Sequence, residues 1–462
     1  MIKNYLRIAI RNLLRHRVYS TINVAGLTVG IAASLLIFLV VKYELSYDQF
    51  QPNYDRIYRV VTHNKTSDGT DDFNQFDKVA PVSASSDNQF TILGKDANID
   101  LSRAKKFIEK GQMAFTYPNY FDIFHVRWLS GNAAVLNEPG QIVIDKSSAE
   151  KFFGSWKDAI GQFVKVNNHL VLAVAGVIED SPENTDLPIK FFLSYEVYKS
   201  SGTTYNYYPE WGALSSNHQV YVLLKENVNP SSLGPQFTAF AKKYYKTGPG
   251  ELKSHQLQPM SDLHFNSRFG TFGDHSSNKS ILLTLAFIGI LIIAMASINF
   301  INLSTAQAVG RGKEVGIRKV LGSRRSQLIG QIFGETFLIV LMALLLAVGL
   351  AKLLMPLLSE VANIPATVNL ITPSTLMFLL ATLVMVTLVS GIYPSLVMSG
   401  FKPIMALKNK INAASIGGIS LRRVLVVAQF SISQILIVGT IVAVKQMTAR
   451  NFNRCRAINI MI

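Results

Sequence analysis

The side chains that could catalyse a reaction or hold a cofactor form no recognisable site in this sequence. The P-loop pattern that cradles phosphates, the His-Glu-x-x-His zinc pattern, the Cys-x-x-Cys pair and the Gly-x-Ser-x-Gly nucleophile turn are all missing from it. Among its eight histidines, His264 and His275 fall in one loop, but two histidines at this separation are more often surface residues than ligands. Its single cysteine, Cys455, excludes a disulfide within the chain. We therefore predict no catalytic, cofactor-binding or metal-binding residue.

A more informative pattern lies in the charged segment around residues 313–321. Glu314 and Arg318 are four residues apart, in the order that favours an ion pair on one helix. The apolar residues between and after them could bury one side of a short helix. Such a helix is suited to docking into a partner's groove. A solvated loop would not need the apolar periodicity.

The positive charge of the chain is concentrated in three short segments. The net charge is +16, and residues 1–20, 309–328 and 401–424 each carry about +5 of it. Each segment adjoins a long apolar block, which is the positive-inside pattern of a membrane protein and not the basic groove of a nucleic-acid-binding protein. We therefore predict contact with membrane lipids and none with nucleic acid.

The apolar blocks that must position these segments are long enough to cross a membrane. Only 16% of the residues are charged, against roughly 25% in average soluble domains. The first block is followed by Lys42 and Glu44 and not by a small-residue cleavage site, so we interpret it as an uncleaved anchor and not a signal peptide. A span needs about 20 mostly apolar residues. Five segments meet this requirement: Thr21–Val41, Ile281 to about Ala308, Thr336–Leu358, Thr375–Met398 and Val424–Val444.

The basic segments also orient the spans. They predict a cytoplasmic N-terminus, a cytoplasmic loop at 309–328, a cytoplasmic linker after the fourth span, and residues 42–280 outside. The basic residues that follow the fifth span run against this rule. Residues 1–20 can form an amphipathic helix in the membrane interface, with Arg7, Arg11 and Arg15 on one face. A plain topogenic signal without a mechanical role is the alternative.

Small and amide side chains inside the spans predict where helices pack. Gly26 and Gly30 have the spacing that lets a second helix approach the first span closely. Asn299 and Asn302 lie in the inner half of the second span, where amides usually bond across a helix interface. We expect these four residues to serve packing and not substrate binding.

Residues 42–280 have the composition of a soluble domain. Runs rich in β-branched and aromatic residues predict strands at 141–144, 163–166, 170–177 and 218–224, and a short helix at 147–153. The expected fold class is therefore an α-helical membrane bundle of five spans, with a large mixed α+β domain of small sheets inserted between spans one and two.

Several segments resemble the FtsX/MacB superfamily of ABC permeases. Residues Glu314 to Gly322 match the family's Glu-[Ile/Val]-Gly-[Ile/Val]-Arg-Lys-Ala-[Leu/Val]-Gly string, with Val320 in place of the usual Ala. The opening at residues 6–13 is also similar to the family, as is the exit from the fourth span at 391–394 and 403–408. The stretches similar to the MacB-like periplasmic core domain are 120–124, 131–132, 151–154 and 160–162.

This resemblance implies a multi-pass protein of the bacterial inner membrane, with a MacB-like periplasmic domain at 42–280 and an FtsX-like permease domain at 281–400. It implies a separate P-loop ABC ATPase on the cytoplasmic side, a second permease module or a homodimer, and a periplasmic adaptor. ATP-driven closure of the ATPases would then move the periplasmic domains. The surface that couples to the ATPase is expected at Glu314, Val315, Gly316, Ile317, Arg318 and Lys319.

Residues 401–462, a linker and the fifth span, resemble the start of a second module in duplicated permeases. We therefore interpret them as the beginning of a truncated second module, which favours export or efflux. Lipoprotein release and regulation of a cell-wall hydrolase are alternatives within the family. Outside it, the alternative is a membrane-anchored sensor or adaptor without ATP coupling. An enzyme is disfavoured because the spans contain few ionisable residues.

Overall fold

The chain divides into two compact units. One, here called the membrane unit, comprises Met1–Lys42 and Ser280–Ile462, and the other, the sheet domain, comprises Tyr43–Lys279. The computed structural model describes residues 11–12, 15, 17–62, 75–95, 104–207, 216–244, 255–266, 268–273, 275–362, 364–365, 369–400, 423–439 and 441. The predicted interfacial helix at 1–20 lies largely outside these residues, although Arg11 and Arg15 are helical and exposed.

The part of the chain that the structure describes contains the following α-helices, numbered in chain order. They are α1 Arg17–Leu45, α2 Tyr120–Ile123, α3 Lys146–Phe153, α4 Tyr195–Ser200, α5 Gly234–Tyr244, α6 Met260–Leu263, α7 Lys279–Val320, α8 Arg325–Ala362, α9 Pro373–Ser399 and α10 Arg423–Gly439.

The described part of the membrane unit contains four helices that are long and apolar enough to cross a membrane: α1, α7, α8 and α9. The predicted fifth span at 424–444 corresponds to the shorter apolar helix α10. Its 17 residues reach only about 26 Å at 1.5 Å per residue, less than the ~30 Å of a hydrocarbon core. The described residues therefore do not confirm a count of five spans, and residues 440 and 442–444 lie outside them.

Helix α1 lies at the centre of the membrane unit. Its apolar side chains Leu27 and Ile31 are almost fully buried against Phe300 of α7, Val340 of α8 and Val386 of α9. Further along, Leu35 and Leu39 pack on α8 in a second cluster. A helix that is buried by three neighbours must be apolar on most sides, which explains its uninterrupted apolar sequence.

The sheet domain is built on a single sheet whose described part has twelve strands, so the expectation of several small sheets is wrong. The strand order is β12-β1-β11-β2-β5-β10-β7-β9-β8-β3-β4, and β6 pairs with β9. The ten-residue strand β2 joins the two halves, because it pairs with β11 over most of its length and with β5 at its end. The strands are β1 Ile57–Thr62, β2 Phe76–Ser85, β3 Asn88–Gly94, β4 Lys106–Glu109, β5 Gln112–Thr116, β6 Trp128–Ser130, β7 Gln141–Asp145, β8 Phe163–Val166, β9 Leu170–Ile178, β10 Ile189–Ser194, β11 His218–Leu224 and β12 His255–Pro259.

The four predicted strands and the predicted short helix are confirmed to within one residue at each end. Helix α3 starts where it does because the Asp145 carboxylate accepts a hydrogen bond from the Ser148 N–H at 3.0 Å. It ends at Gly154, whose positive φ of 85° suits a glycine. Apolar side chains fill both faces of the sheet: the adjacent residues Phe191 and Phe192 of β10 are buried in different clusters, as the alternation of a strand requires.

Candidate functional site

The predicted cytoplasmic loop at 309–328 is mostly helical, which corrects the sequence-based boundary. Helix α7 continues without a break from the membrane-spanning part to Val320, and α8 begins at Arg325. The expected separate short helix is thus the end of a 42-residue helix. Four residues make the turn, and Gly322 has a φ of 95° that favours glycine. We call α7 from Arg311 to Val320, this turn and the first three turns of α8 the α7–α8 hairpin.

The apolar residues of the predicted coupling surface divide between the inside and the outside of this hairpin. Val315 is buried against Leu328 and Ile332 of α8, and Gly316 is also buried. Ile317 points outward and is 44% exposed. Two neighbours that were not included in the prediction are more exposed, Val320 at 63% and Leu321 at 80%. Ile317 and Val320 lie on one face of α7, and Leu321 follows directly after its end; we call these three residues the exposed apolar face.

The charged residues of the predicted surface hold the hairpin together. The Arg318 guanidinium donates to Glu314 at 2.5 Å and to Gln331 of α8 at 2.6 Å. The Lys319 ammonium donates to the carbonyl oxygen of Ser399, the last residue of α9, at 2.7 Å. Glu314, Arg318 and Lys319 are each partly buried. They therefore fix the position of the exposed apolar face.

A buried ion pair that the sequence analysis missed lies one turn nearer the membrane. Arg311 of α7 donates to both carboxylate oxygens of Glu335 in α8, at 2.8 and 3.1 Å. Asn12 and Gln331 also donate to Glu335, at 2.7 and 3.0 Å. The Arg311 and Glu335 side chains are only 16% and 9% exposed. The only indication of this pair in the sequence is that the acidic residue Glu335 directly precedes the apolar segment Thr336–Leu358.

The four residues predicted to pack helices lie on α1 and α7. A Cβ atom at Gly30 would stand 2.7 Å from the Ala296 Cβ, so the two helices approach here more closely than another residue would allow. A Cβ atom at Gly26 would stand 3.6 Å from the Asn299 amide nitrogen. The Asn302 amide oxygen is buried without a hydrogen-bond partner among the described residues. The packing role of these residues stays a prediction.

The interpretation of the two loop histidines as surface residues is wrong for His264, and His275 is only partly exposed. His264 is 2% exposed, and its ring nitrogens lie 2.7 Å from Glu44 and 3.3 Å from Asp186. Burial lowers the pKa of His264, but hydrogen bonds to Asp186 and Glu44 outweigh it and raise the pKa to about 9. His275 lies 3.1 Å from the other Glu44 oxygen. The loop therefore folds a histidine pair around a carboxylate, which local sequence spacing could not indicate.

Two family models match this chain. A model described as MacB-like periplasmic core domain matches residues 20–240, and one described as FtsX-like permease C-terminal matches residues 286–403. The first covers α1 and most of the sheet domain, and the second covers α7 to α9 with the α7–α8 hairpin. Both descriptions agree with the resemblance derived from the sequence.

Curated relatives match at low identity. The macrolide export ATP-binding/permease protein MacB 2 of Aeromonas hydrophila is 25% identical over 228 residues, which are 47% of this chain and 30% of that protein. The macrolide export ATP-binding/permease protein MacB of Pasteurella multocida is 22% identical over 285 residues, 62% of this chain and 40% of that protein. The chain thus spans well under half of the length of these relatives.

A solved domain structure from Porphyromonas gingivalis is similar over 51% of this chain and 99% of that domain, with 17% identity and a TM-score of 0.37. That score is too low to support an argument about the fold. The two family models carry the assignment, because they match in the order that the fold shows and together cover most of the chain. The chain belongs to the FtsX/MacB superfamily of ABC transporter permeases.

Proposed function

We propose that this chain is a permease subunit of an export ABC transporter, and that it converts ATP hydrolysis by a separate ATPase subunit into movement of the sheet domain. The single observation that carries the proposal is the exposed apolar face at the tip of the α7–α8 hairpin. Export is the proposed direction because the relatives are named as export proteins.

The exposed apolar face has the chemistry of a docking element. Ile317, Val320 and Leu321 leave much of their side chains in contact with water. Burying such a side chain fully in a partner's groove contributes about 1.5–3 kcal/mol. Arg318 and Lys319, bonded to α8 and to the end of α9, prevent the face from moving independently of the helices behind it. Force applied at the tip would therefore reach α8 and α9 directly.

The proposed topology follows the charge distribution. The N-terminus and the α7–α8 hairpin are cytoplasmic, where the ATPase is found, and the sheet domain is periplasmic. A second permease module or a second copy of this chain, and a periplasmic adaptor, complete the proposed assembly. The transported substrate is left unassigned.

The test is an affinity pull-down of the tagged chain from membranes solubilised in a mild detergent, with mass spectrometry of the co-purifying proteins. A P-loop ATPase should copurify with the wild-type chain, and the double substitution I317E/L321E should abolish its recovery. The matched control is I108E, because Ile108 of β4 is 71% exposed but lies in the sheet domain. Recovery of the ATPase should be unchanged in this control.

Equal recovery of the ATPase with I317E/L321E would overturn the proposed docking surface. Recovery of no ATPase with the wild-type chain would favour the alternative, a membrane-anchored sensor or adaptor. Gel filtration of each variant in detergent separates loss of binding from loss of folding.

A further inference from the structure

A cluster of metal-ligating side chains lies inside the sheet domain, apart from the α7–α8 hairpin. It consists of Glu44, in the last turn of α1, and of His264 and His275, which lie between α6 and α7. One potential ligand atom from each residue lies within 4.8 Å of the other two. Glu44 and His264 are buried, and the His275 side chain is 33% exposed.

The distances between the ligand atoms suit a single small cation. Glu44 approaches the two histidine Nε2 atoms at 2.7 and 3.1 Å. Ligands about 2.0–2.1 Å from a tetrahedral Zn²⁺ stand roughly 3.4 Å from one another. The distances from Glu44 to His264 and to His275 would therefore need to grow by about 0.7 and 0.3 Å to admit the ion. Imidazole and carboxylate are ligands that Zn²⁺ accepts, whereas Mg²⁺ and Ca²⁺ prefer oxygen alone.

A second layer of contacts fixes the orientation of His264. Its Nδ1 atom lies 3.3 Å from Asp186 while its Nε2 atom faces Glu44. This carboxylate–histidine arrangement is the one that orients zinc-binding imidazoles in other proteins. The Tyr47 ring stacks on His264 with centroids 3.5 Å apart.

Asp186 is held in turn by Asp48. The Asp186 N–H donates to the Asp48 carboxylate at 3.1 Å, and the Thr185 hydroxyl donates to the same carboxylate at 2.5 Å. Asp48 adopts a φ of 56°, which is uncommon for a residue other than glycine. A loop residue kept in that conformation by several bonds gives the cluster a rigid frame.

The formal charge of the cluster is compatible with a divalent cation. Glu44 and Asp186 are 4% and 1% exposed, and their ion pairs within the described part of the chain involve only the two histidines. Without an ion, a protonated His264 compensates one of the two carboxylates, as its raised pKa indicates. A cation bound to the neutral imidazoles would instead face two buried carboxylates with a total charge of −2. Buried charge of one sign is strongly disfavoured unless it is compensated. A divalent cation would compensate it fully.

We propose that Glu44, His264 and His275 bind one Zn²⁺ ion, with Asp186 as the residue that positions His264. The ion would join the end of α1 to the segment that precedes α7. These are the two chain segments that connect the sheet domain to the membrane helices.

The test uses the chain of residues 1–462, purified in detergent with a histidine-free tag and stripped of metal with a chelator. After equilibrium dialysis against ZnCl₂, the zinc content of the protein is measured by inductively coupled plasma mass spectrometry. The wild-type chain should retain one equivalent of Zn²⁺, and H275Q and E44Q should each lose it. D186N should bind Zn²⁺ about 10–100-fold more weakly, as is typical when a metal-bound histidine loses its partner.

The matched control is H169Q, because His169 is an exposed histidine in the turn between β8 and β9. This variant should bind Zn²⁺ as the wild type does. H264Q removes a fully buried ring, so its folding must be checked by circular dichroism. H275Q alters a partly exposed side chain and decides the question if H264Q does not fold. No bound zinc in the wild type, or equal zinc content in folded H275Q, would overturn the proposal.

Discussion

Breaking the buried Arg311–Glu335 pair should reveal how strongly the α7–α8 hairpin is held. The substitution E335Q keeps an acceptor for Asn12 and Gln331 but removes the carboxylate that pairs with the buried Arg311 guanidinium. Removing one member of a buried pair typically costs about 3–5 kcal/mol. Since both side chains are less than one fifth exposed, solvent screening should reduce that value little. We therefore expect E335Q to lower the free energy of unfolding by about 3–5 kcal/mol.

The converse substitution R311M leaves Glu335 charged and should cost a similar amount, whereas the double variant R311M/E335Q removes both charges. Its loss should be clearly smaller than the sum of the single losses. Reversible unfolding in mixed detergent and sodium dodecyl sulfate micelles, followed by circular dichroism, measures all three. If the double variant loses the full sum, to within about 0.5 kcal/mol, the two side chains are not coupled and the reasoning is refuted.

Three further predictions follow from other parts of the molecule. G30V should destabilise the membrane unit by about 1–3 kcal/mol because its Cβ atom would overlap Ala296; G349V, at a glycine of α8 with open space around it, should cost less in the same micelle unfolding assay. Burial lowers the pKa of His255 to about 4 from an unfolded value of 6.5, so the unfolded chain gains a proton first as the pH falls. The free energy of unfolding of the sheet domain should keep its full value above pH 6.5 and should fall by up to about 3 kcal/mol towards pH 4. Hydrogen exchange of the β12 amides measures this fall, and H255F should remove it. In a C455S background, the variant R324C should react with a membrane-impermeant thiol reagent only in broken cells. The variant I108C should react in cells whose outer membrane alone is permeabilised. The reverse labelling pattern would contradict the proposed topology.

The elements that local pattern determines could be predicted from the sequence, and those that depend on distant pairing could not. Strands β7, β8, β9 and β11 are apolar runs between turn residues, and their boundaries follow from that pattern. Strand β2 contains Pro81, polar side chains and alanines, so it has no comparable signal. Its pairing with both β11 and β5 makes one sheet out of two halves. Nothing local to residues 76–85 specifies those partners.

The two side-chain sites missed by the sequence analysis share the same cause. Glu44 is 220 residues from His264 along the chain, and Arg311 is 24 residues from Glu335. In both cases each residue has an ordinary local role: a charge after a span, a loop histidine, or a basic residue beside a membrane. Only the packing of separate elements brings the partners together and excludes water. Sequence spacing identifies motifs that one element presents, such as Glu314 and Arg318, but not sites assembled from several.

The unbroken course of α7 follows from the same buried contacts and determines how force can pass through the protein. The predicted apolar span ends near residue 308, and Gly310 and Gly312, which follow it, each weaken a helix by about 1 kcal/mol. Arg311 lies between these glycines and is bonded to Glu335, and Val315 is buried one turn later. These tertiary contacts exceed the local penalty and extend the helix to a length of about 63 Å at 1.5 Å per residue. A push on the exposed apolar face would therefore move one continuous rod braced against α8, with no flexible loop between the tip and the membrane-spanning turns to absorb it.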